Sequence, residues 1–205
     1  MRLNRTAYVI LGLLSIESDK SGYDIRKAVE GSVGYFWGES YGQIYPTLKR
    51  LAAESLIVPS APPSAGKRRR QKYSLTNAGR ACLREWLAVP FQNDPPRNEF
   101  LLKLFFGREA APGVSAGHIR ELQEKNRSML ATLLKLDSFV RTQSAEQNPH
   151  LPYWMLTLSL GIALTRTALE WGESALAVLA AATGTAAPNP QPAAGNPPPD
   201  HHAAG

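Results

Sequence analysis

Apolar positions in this chain recur mostly three and four residues apart, and the intervals between such runs carry the residues that start and stop helices. Leu3, Ala7, Ile10, Leu11 and Leu14 share one helical face, which predicts a core helix over residues 4–15. Ser21 followed three residues later by Asp24 is a cap signal, with Ile25, Ala28 and Val29 behind it and Gly31 as a stop. Phe36 and Trp37 fall in the next link and read as core aromatics. Residues 40–57, SYGQIYPTLKRLAAESLI, then predict an amphipathic helix with an apolar stripe of Ile44, Leu48 and Leu51. Gln43, Lys49 and Arg50 project from its other side. Ser40 and Gln43 match a capping box, and Pro46, placed just past the first turn, predicts an irregular start.

The periodicity then changes from helical to alternating. Leu56, Ile57 and Val58 form a short β-type run, PSAPPSAG a turn, and Tyr73 and Leu75 alternate with polar neighbours in a second run, so a β-hairpin is expected. Thr76 caps a further helix that carries Leu83, Trp86 and Leu87 and ends near Asp94-Pro95-Pro96. A short helix over 99–107 exposes Phe100, Leu101, Leu104 and Phe105 for other elements to cover. Over 115–142 the positions Ile119, Leu122, Asn126, Met129, Leu133, Leu136 and Val140 follow a heptad seam, with Asn126 as a polar residue at an a position. Such a helix is about 40 Å long, more than a small domain covers, so pairing with a second subunit is expected. The last helix, 152–182, is apolar on nearly all sides between Trp154 and Leu164, which implies burial among other helices.

The order helix, helix, link, polar-faced helix, hairpin is that of a winged helix-turn-helix. The fold class expected is therefore mostly α: a winged helix-turn-helix with a two-stranded β wing over 1–94, and a long-helix dimerisation domain over 97–182. A Pro/Ala-rich tail over 183–205 has too little apolar content for a core and is expected to be disordered.

Charge sharpens this picture. Lys67, Arg68, Arg69, Arg70 and Lys72 place five cations in six residues at the hairpin tip, a density that asks for an anionic partner. The chain as a whole has 205 residues, a net charge of +6 and a pI near 9.6, which permits nucleic-acid binding. Tyr41, Gln43, Tyr45 and Thr47 are the candidates for base edges, with Tyr45 alternatively packed on the second helix; Lys49, Arg50 and the wing cations are the candidates for phosphates. The single cysteine, Cys82, excludes an internal disulfide framework, fits a reducing cytoplasm and reads as packing. His118 and His150 lack ligand-spaced partners, and His201-His202 is too short to argue for metal. No phosphate-cradling glycine loop or nucleophile elbow is present. No cofactor, metal or enzymatic activity is expected, and neither apolar end segment has the length or flanks of a signal peptide or a membrane span. A winged-helix module that docks an acidic protein is the competing class, distinguished by the absence of salt-dependent duplex binding. Phe100, Phe105, Trp154 and Trp171 exceed what a small domain buries and suggest a small apolar or aromatic effector held between the two domains, set against a plain packed core.

Several of these stretches together resemble the PadR-like transcriptional regulators with a long C-terminal helical domain. The resemblance rests on YVILGLLS from Tyr8, SGYDI from Ser21, YFW from Tyr35, GQIYPTLKRL from Gly42 and GKRRRQKYSLTNAGRACLREWL from Gly66, and it covers nearly the whole chain before the tail. It implies a homodimeric, usually repressing regulator of double-stranded DNA whose C-terminal helices make the dimer; the effector does not carry over. Ser55 departs from the pattern, since such proteins usually place a glycine there to end the recognition helix, so that helix end is expected to be strained or differently capped.

Overall fold

A computed structural model describes residues 3–37, 41–60, 71–91, 97–143 and 146–183. The expected tail beyond Thr183, the Asp94-Pro95-Pro96 break, Ser40 and the wing cations Lys67, Arg68, Arg69 and Arg70 lie outside the described residues. The chain divides into two compact units, Met1–Arg97 with Asn148–His150, and Asn98–Gln147 with Leu151–Gly205.

In the first unit, α1 (Arg5–Ile16) starts at Asn4, whose side chain accepts from the Ala7 N–H at 3.0 Å. Strand β1 (Lys20–Ser21) leads directly into α2 (Gly22–Gly31). Ser21 and Asp24 form a complete capping box: the Asp24 carboxylate accepts from the Ser21 hydroxyl at 2.7 Å and from the Ser21 N–H at 2.9 Å, while the Ser21 oxygen accepts from the Asp24 N–H at 3.3 Å. After two 3₁₀ turns, Val33–Tyr35 and Tyr41–Gln43, comes α3 (Ile44–Ala53). Strands β2 (Ile57–Pro59) and β3 (Lys72–Leu75) and helix α4 (Asn77–Ala88) complete the unit.

The hairpin forms as its alternation predicts, with Ile57 opposite Leu75 and Val58 opposite Ser74. It also pairs on its other edge with β1, giving an antiparallel sheet of order β1-β3-β2. A two-residue strand has no period to read, which is why the sequence shows only two of the three strands. The core gathers Leu3, just before the first helix, and Ala7, Ile10, Leu11 and Leu14 from it with Ile25, Val29, Ile44, Leu48, Leu51, Ile57 and Leu83. Burial of each large aliphatic side chain stabilises by roughly 1.5–3 kcal/mol. The expected core aromatics divide differently. Phe36 is 65% exposed. Trp37 is half-buried with the Arg5 guanidinium 5.6 Å above its ring, whereas Tyr8 and Trp86 stack at 4.5 Å.

In the second unit, α5 (Glu99–Phe105) precedes two long helices, α6 (Val114–Arg141) and α7 (Leu151–Thr183), which run antiparallel. Leu133 packs over Gly161, and the buried Gln123 amide donates to the Glu173 carboxylate at 3.1 Å. The expected heptad positions divide here. Ile119, Leu133 and Val140 are already buried within this unit of one chain, so they are not available to a second subunit. Leu122, Asn126, Met129 and Leu136 are half-buried. The Asn126 amide donates to the Leu122 carbonyl one turn back on α6, at 2.8 Å. A periodicity of 3.5 marks an apolar face equally well for an intrachain partner. Apolar surface left uncovered in this unit includes one flank of α7, where Tyr153, Leu156, Leu160, Leu164 and Val178 fall together and are each more than half exposed.

Ser55 ends α3 in the left-handed region, φ 56°. The Leu56 N–H reaches the Leu51 carbonyl at 2.9 Å and the Ser55 N–H the Ala52 carbonyl at 3.1 Å, which is a Schellman motif built without glycine. An L-residue there costs roughly 1–2 kcal/mol, partly offset by the greater freedom glycine has in the unfolded chain. Ser55→Gly is therefore expected to raise the denaturation midpoint of the first unit by the equivalent of about 1 kcal/mol. A lower midpoint would show that the serine side chain itself holds the turn.

Asp24 supplies a pH-dependent expectation. The Ser21 hydroxyl, and after it the Ser21 N–H, hold the Asp24 carboxyl below its ordinary range. A depressed folded-state pKa gives stability that is present above the unfolded value, about 4, and is lost as pH falls through the folded value. Asp24→Ala should thus cost about 0.5–1 kcal/mol at pH 7, and urea titrations repeated toward pH 3 should show the gap to the parent protein closing. A gap independent of pH would assign the loss to packing.

Candidate nucleic-acid interface

The candidate surface is the outer face of α3 with the hairpin beside it. At 100° per residue, Ile44, Thr47, Leu48 and Leu51 fall together and are buried, and Tyr45, Pro46, Lys49 and Ala53 fall on the opposite side and are exposed. Three local features fix this rotation. The core side of α3 packs against α1 and α2. Gly22, at the start of α2, leaves space for the ring of Tyr45; a Cβ there would stand 2.7 Å from Tyr45 Cε1. Pro46 lies in the first turn of α3, where its missing N–H has no intrahelical acceptor to lose.

The Ser40 half of the expected capping box lies outside the described residues. A 3₁₀ turn over Tyr41–Gln43 precedes α3, which begins at Ile44 with Gln43 as its N-cap residue and no side-chain capping bond from it. The Gln43 side chain is exposed. Tyr45 satisfies both alternatives, since its ring lies across Gly22 and it is still 57% exposed. Thr47 is removed from the base-edge candidates: it is 3% exposed and sits on the core side, one turn before Leu51. Tyr41 lies in the 3₁₀ turn that leads into α3.

Thr76 fastens the hairpin to the end of this helix. Its hydroxyl donates toward the Ser55 and Leu56 carbonyls, both at 2.9 Å, and accepts from the Gly79 N–H at 3.0 Å to cap α4. At Gly79 only a hydrogen fits, because a Cβ would lie 2.1 Å from the Leu56 carbonyl oxygen. The KYSLTNAG stretch is thus a single clamp that holds β3, the end of α3 and the start of α4 together. The Ser60 N–H reaches the Lys72 carbonyl at 3.0 Å, so the pairing continues one residue past β2.

Lys49 is exposed on the outer face. Arg50 stands at its margin and pairs with Glu54 one turn on, at 2.9 Å. Lys72 pairs with Asp19 at 2.8 Å, a partner 53 positions away that sequence periodicity had no means of indicating. The arrangement offers a helix face with amide and phenol groups flanked by cations, suited to an anionic polymer. Cys82 has none of the marks of a nucleophile: burial first, then Glu85 and Glu54, push its thiol pKa up. Among the described residues no cluster of His, Cys, Asp or Glu could hold a metal, and no helix is long and apolar enough to cross a membrane.

The four aromatics considered for an effector do not converge on one place. Phe100 meets Trp171 edge-on at 5.9 Å. Phe105 turns instead to Phe106, at 5.0 Å, and is 83% exposed. Trp154 is half-buried on α7, about 25 Å along the helix axis from Trp171 at 1.5 Å per residue.

Comparison with known proteins agrees with this geometry. Residues 10–85 match the Transcriptional regulator PadR-like family, and residues 96–180 match the family described as Virulence activator alpha C-term. The Negative transcriptional regulator PadR of Bacillus subtilis is 30% identical over 178 residues, spanning 84% of this chain and 96% of that protein. The crystal structure of Bacillus subtilis PadR in complex with operator DNA superposes with a TM-score of 0.74 at 26% identity, covering 86% of this chain and 99% of that one. Its complex with p-coumaric acid superposes with a TM-score of 0.67 at 28% identity, over 85% and 99%. With its winged helix, clamped hairpin and paired long helices, and with this level of identity over most of its length, the chain belongs to the PadR-like family of transcriptional regulators.

Proposed function

We propose that this chain acts in the cytoplasm as a homodimeric repressor that binds an inverted-repeat operator in duplex DNA and is released by a small aromatic effector. One observation carries the reading: α3 keeps its apolar side entirely inside and turns Tyr45 and Lys49 outward, with Gln43 exposed just before it, and the sequence that joins β2 to β3 includes Lys67, Arg68, Arg69 and Arg70. In this reading Gln43 and Tyr45, with Tyr41, meet base edges in the major groove, and Lys49, Arg50, Lys72 and the tip cations meet phosphates. The related Bacillus subtilis protein, a negative regulator by name and crystallised with operator DNA, supports it.

Uncovered apolar surface supports the dimer. Leu156, Leu160 and Leu164 repeat along one flank of α7 and are each more than half exposed, as are Tyr153 and Val178. Apolar stripes of this length on a soluble protein are association surfaces, and a second copy offering the same stripe covers both. Two linked half-sites then add an effective-concentration gain that one lacks. For the effector, the p-coumaric acid complex of the Bacillus subtilis relative supports an aromatic ligand, and the Phe100–Trp171 pair is where an aromatic ring would find apolar partners in this chain.

Two outcomes test the reading. Lys49→Ala should weaken binding to operator and random duplex alike and lower the salt slope by about 0.9. Gln43→Ala should instead erode discrimination at one base pair, by about 1–3 kcal/mol. Anisotropy titrations over a salt series read both, and an unchanged slope for the Lys49 variant would remove α3 from the phosphates. Separately, replacing Leu160 and Leu164 together with aspartate should give a monomer in size-exclusion with light scattering; a persisting dimer would place the subunit contact elsewhere.

A further inference from the structure

We propose that Asp19 is a positioning residue that restrains DNA binding by holding Lys72 in an ion pair which a phosphate must displace; this rests on the DNA-binding reading above. Asp19 directly precedes β1, and the pairing of Ser21 with Lys72 brings its carboxylate beside the start of β3, with Oδ2 2.8 Å from the Lys72 Nζ. Both side chains are half exposed, 51% for Lys72 and 50% for Asp19. The pair therefore stands in water, where ion pairs exchange readily. It differs from Arg50–Glu54, whose members share one helix face a turn apart and are less exposed.

The consequence for DNA is a matter of charge balance. A lysine that is already neutralised by a carboxylate brings no uncompensated charge to a phosphate. When it transfers, it gives up the Asp19 contact, and that carboxylate stays on the hairpin edge facing the polyanion, where like charges repel. Asp19 thus acts as an internal stand-in for phosphate on the hairpin edge. Phosphate contacts carry no sequence information, so the restraint applies equally to operator and random DNA and lowers the affinity of the chain for the large excess of non-operator duplex.

The backbone of Asp19 makes the substitution clean. Its φ of 63° lies in the left-handed region, which asparagine and glycine tolerate at least as well as aspartate. Asp19→Asn and, independently, Asp19→Gly therefore remove the charge without asking the turn to change. The experiment is anisotropy of the full-length protein with a labelled duplex from upstream of its own gene, and with a random duplex, over a salt series. The proteins compared are the parent, D19N, D19G, K72A and the double variant D19N/K72A. The expected result is a gain of about two- to fivefold in affinity for both duplexes, and a salt slope steeper by about 0.9. The gain should disappear when Lys72 is also absent. Unchanged or weaker binding by D19N and D19G overturns the proposal, and so does a gain that persists undiminished in the K72A background. A parent protein with no salt-dependent duplex binding would overturn the DNA-binding reading itself, and this inference with it, which differs from a parent that binds and a D19N that gains nothing.

Discussion

The seating of α3 on the first core is the constraint from which the rest of the DNA-binding unit follows. Ile44, Thr47, Leu48 and Leu51 are buried against α1 and α2, and a helix sealed along one side has only one side left to present. Rotating α3 by one residue would bring Tyr45 or Lys49 toward the core and expose leucine, at a cost of several kcal/mol from apolar area and charge burial together. The outer face is therefore specified by what the inner face excludes. The Schellman turn at Ser55 and the Thr76 clamp act on the same arrangement from its far end, fixing where α3 stops and where the hairpin leaves it.

Much of this was legible in the residues because it is local. Helical periodicity marks α1, α2, α3 and α4, the Ser21–Asp24 box marks the start of α2, and the switch to alternation marks β2 and β3. What escaped was decided by tertiary neighbours. Thr47 is polar and lies on a helix rich in donors, but its angular position puts it beside Ile44 and Leu48. Lys72 looks like an uncommitted cation until the two-residue strand β1 brings Asp19 to it. The heptad rhythm of α6 marks an apolar face correctly without saying whose helix covers it; Ile119, Leu133 and Val140 are buried inside the chain's own unit, and the exposed apolar flank is found on α7.

Electrostatics adds a second layer to the site. Arg50 and Lys72 are each held by a carboxylate, whereas Lys49 stands at the centre of the outer face. The cations of this surface are thus unequal: Lys49 is exposed on the outer face, and Arg50 and Lys72 each carry an ion pair.

The central claim, that the outward face of α3 is the surface that meets DNA, is tested most directly by site-specific crosslinking. With Cys82 replaced by alanine, a photoreactive group attached to a cysteine at position 49 should crosslink to a duplex from upstream of the gene, and the same group at position 170 on α7 should not. Crosslinking of the position 49 protein that is lost in excess competitor duplex is the result this account predicts. Absence of crosslinking at position 49, with efficient crosslinking at position 170, would contradict it.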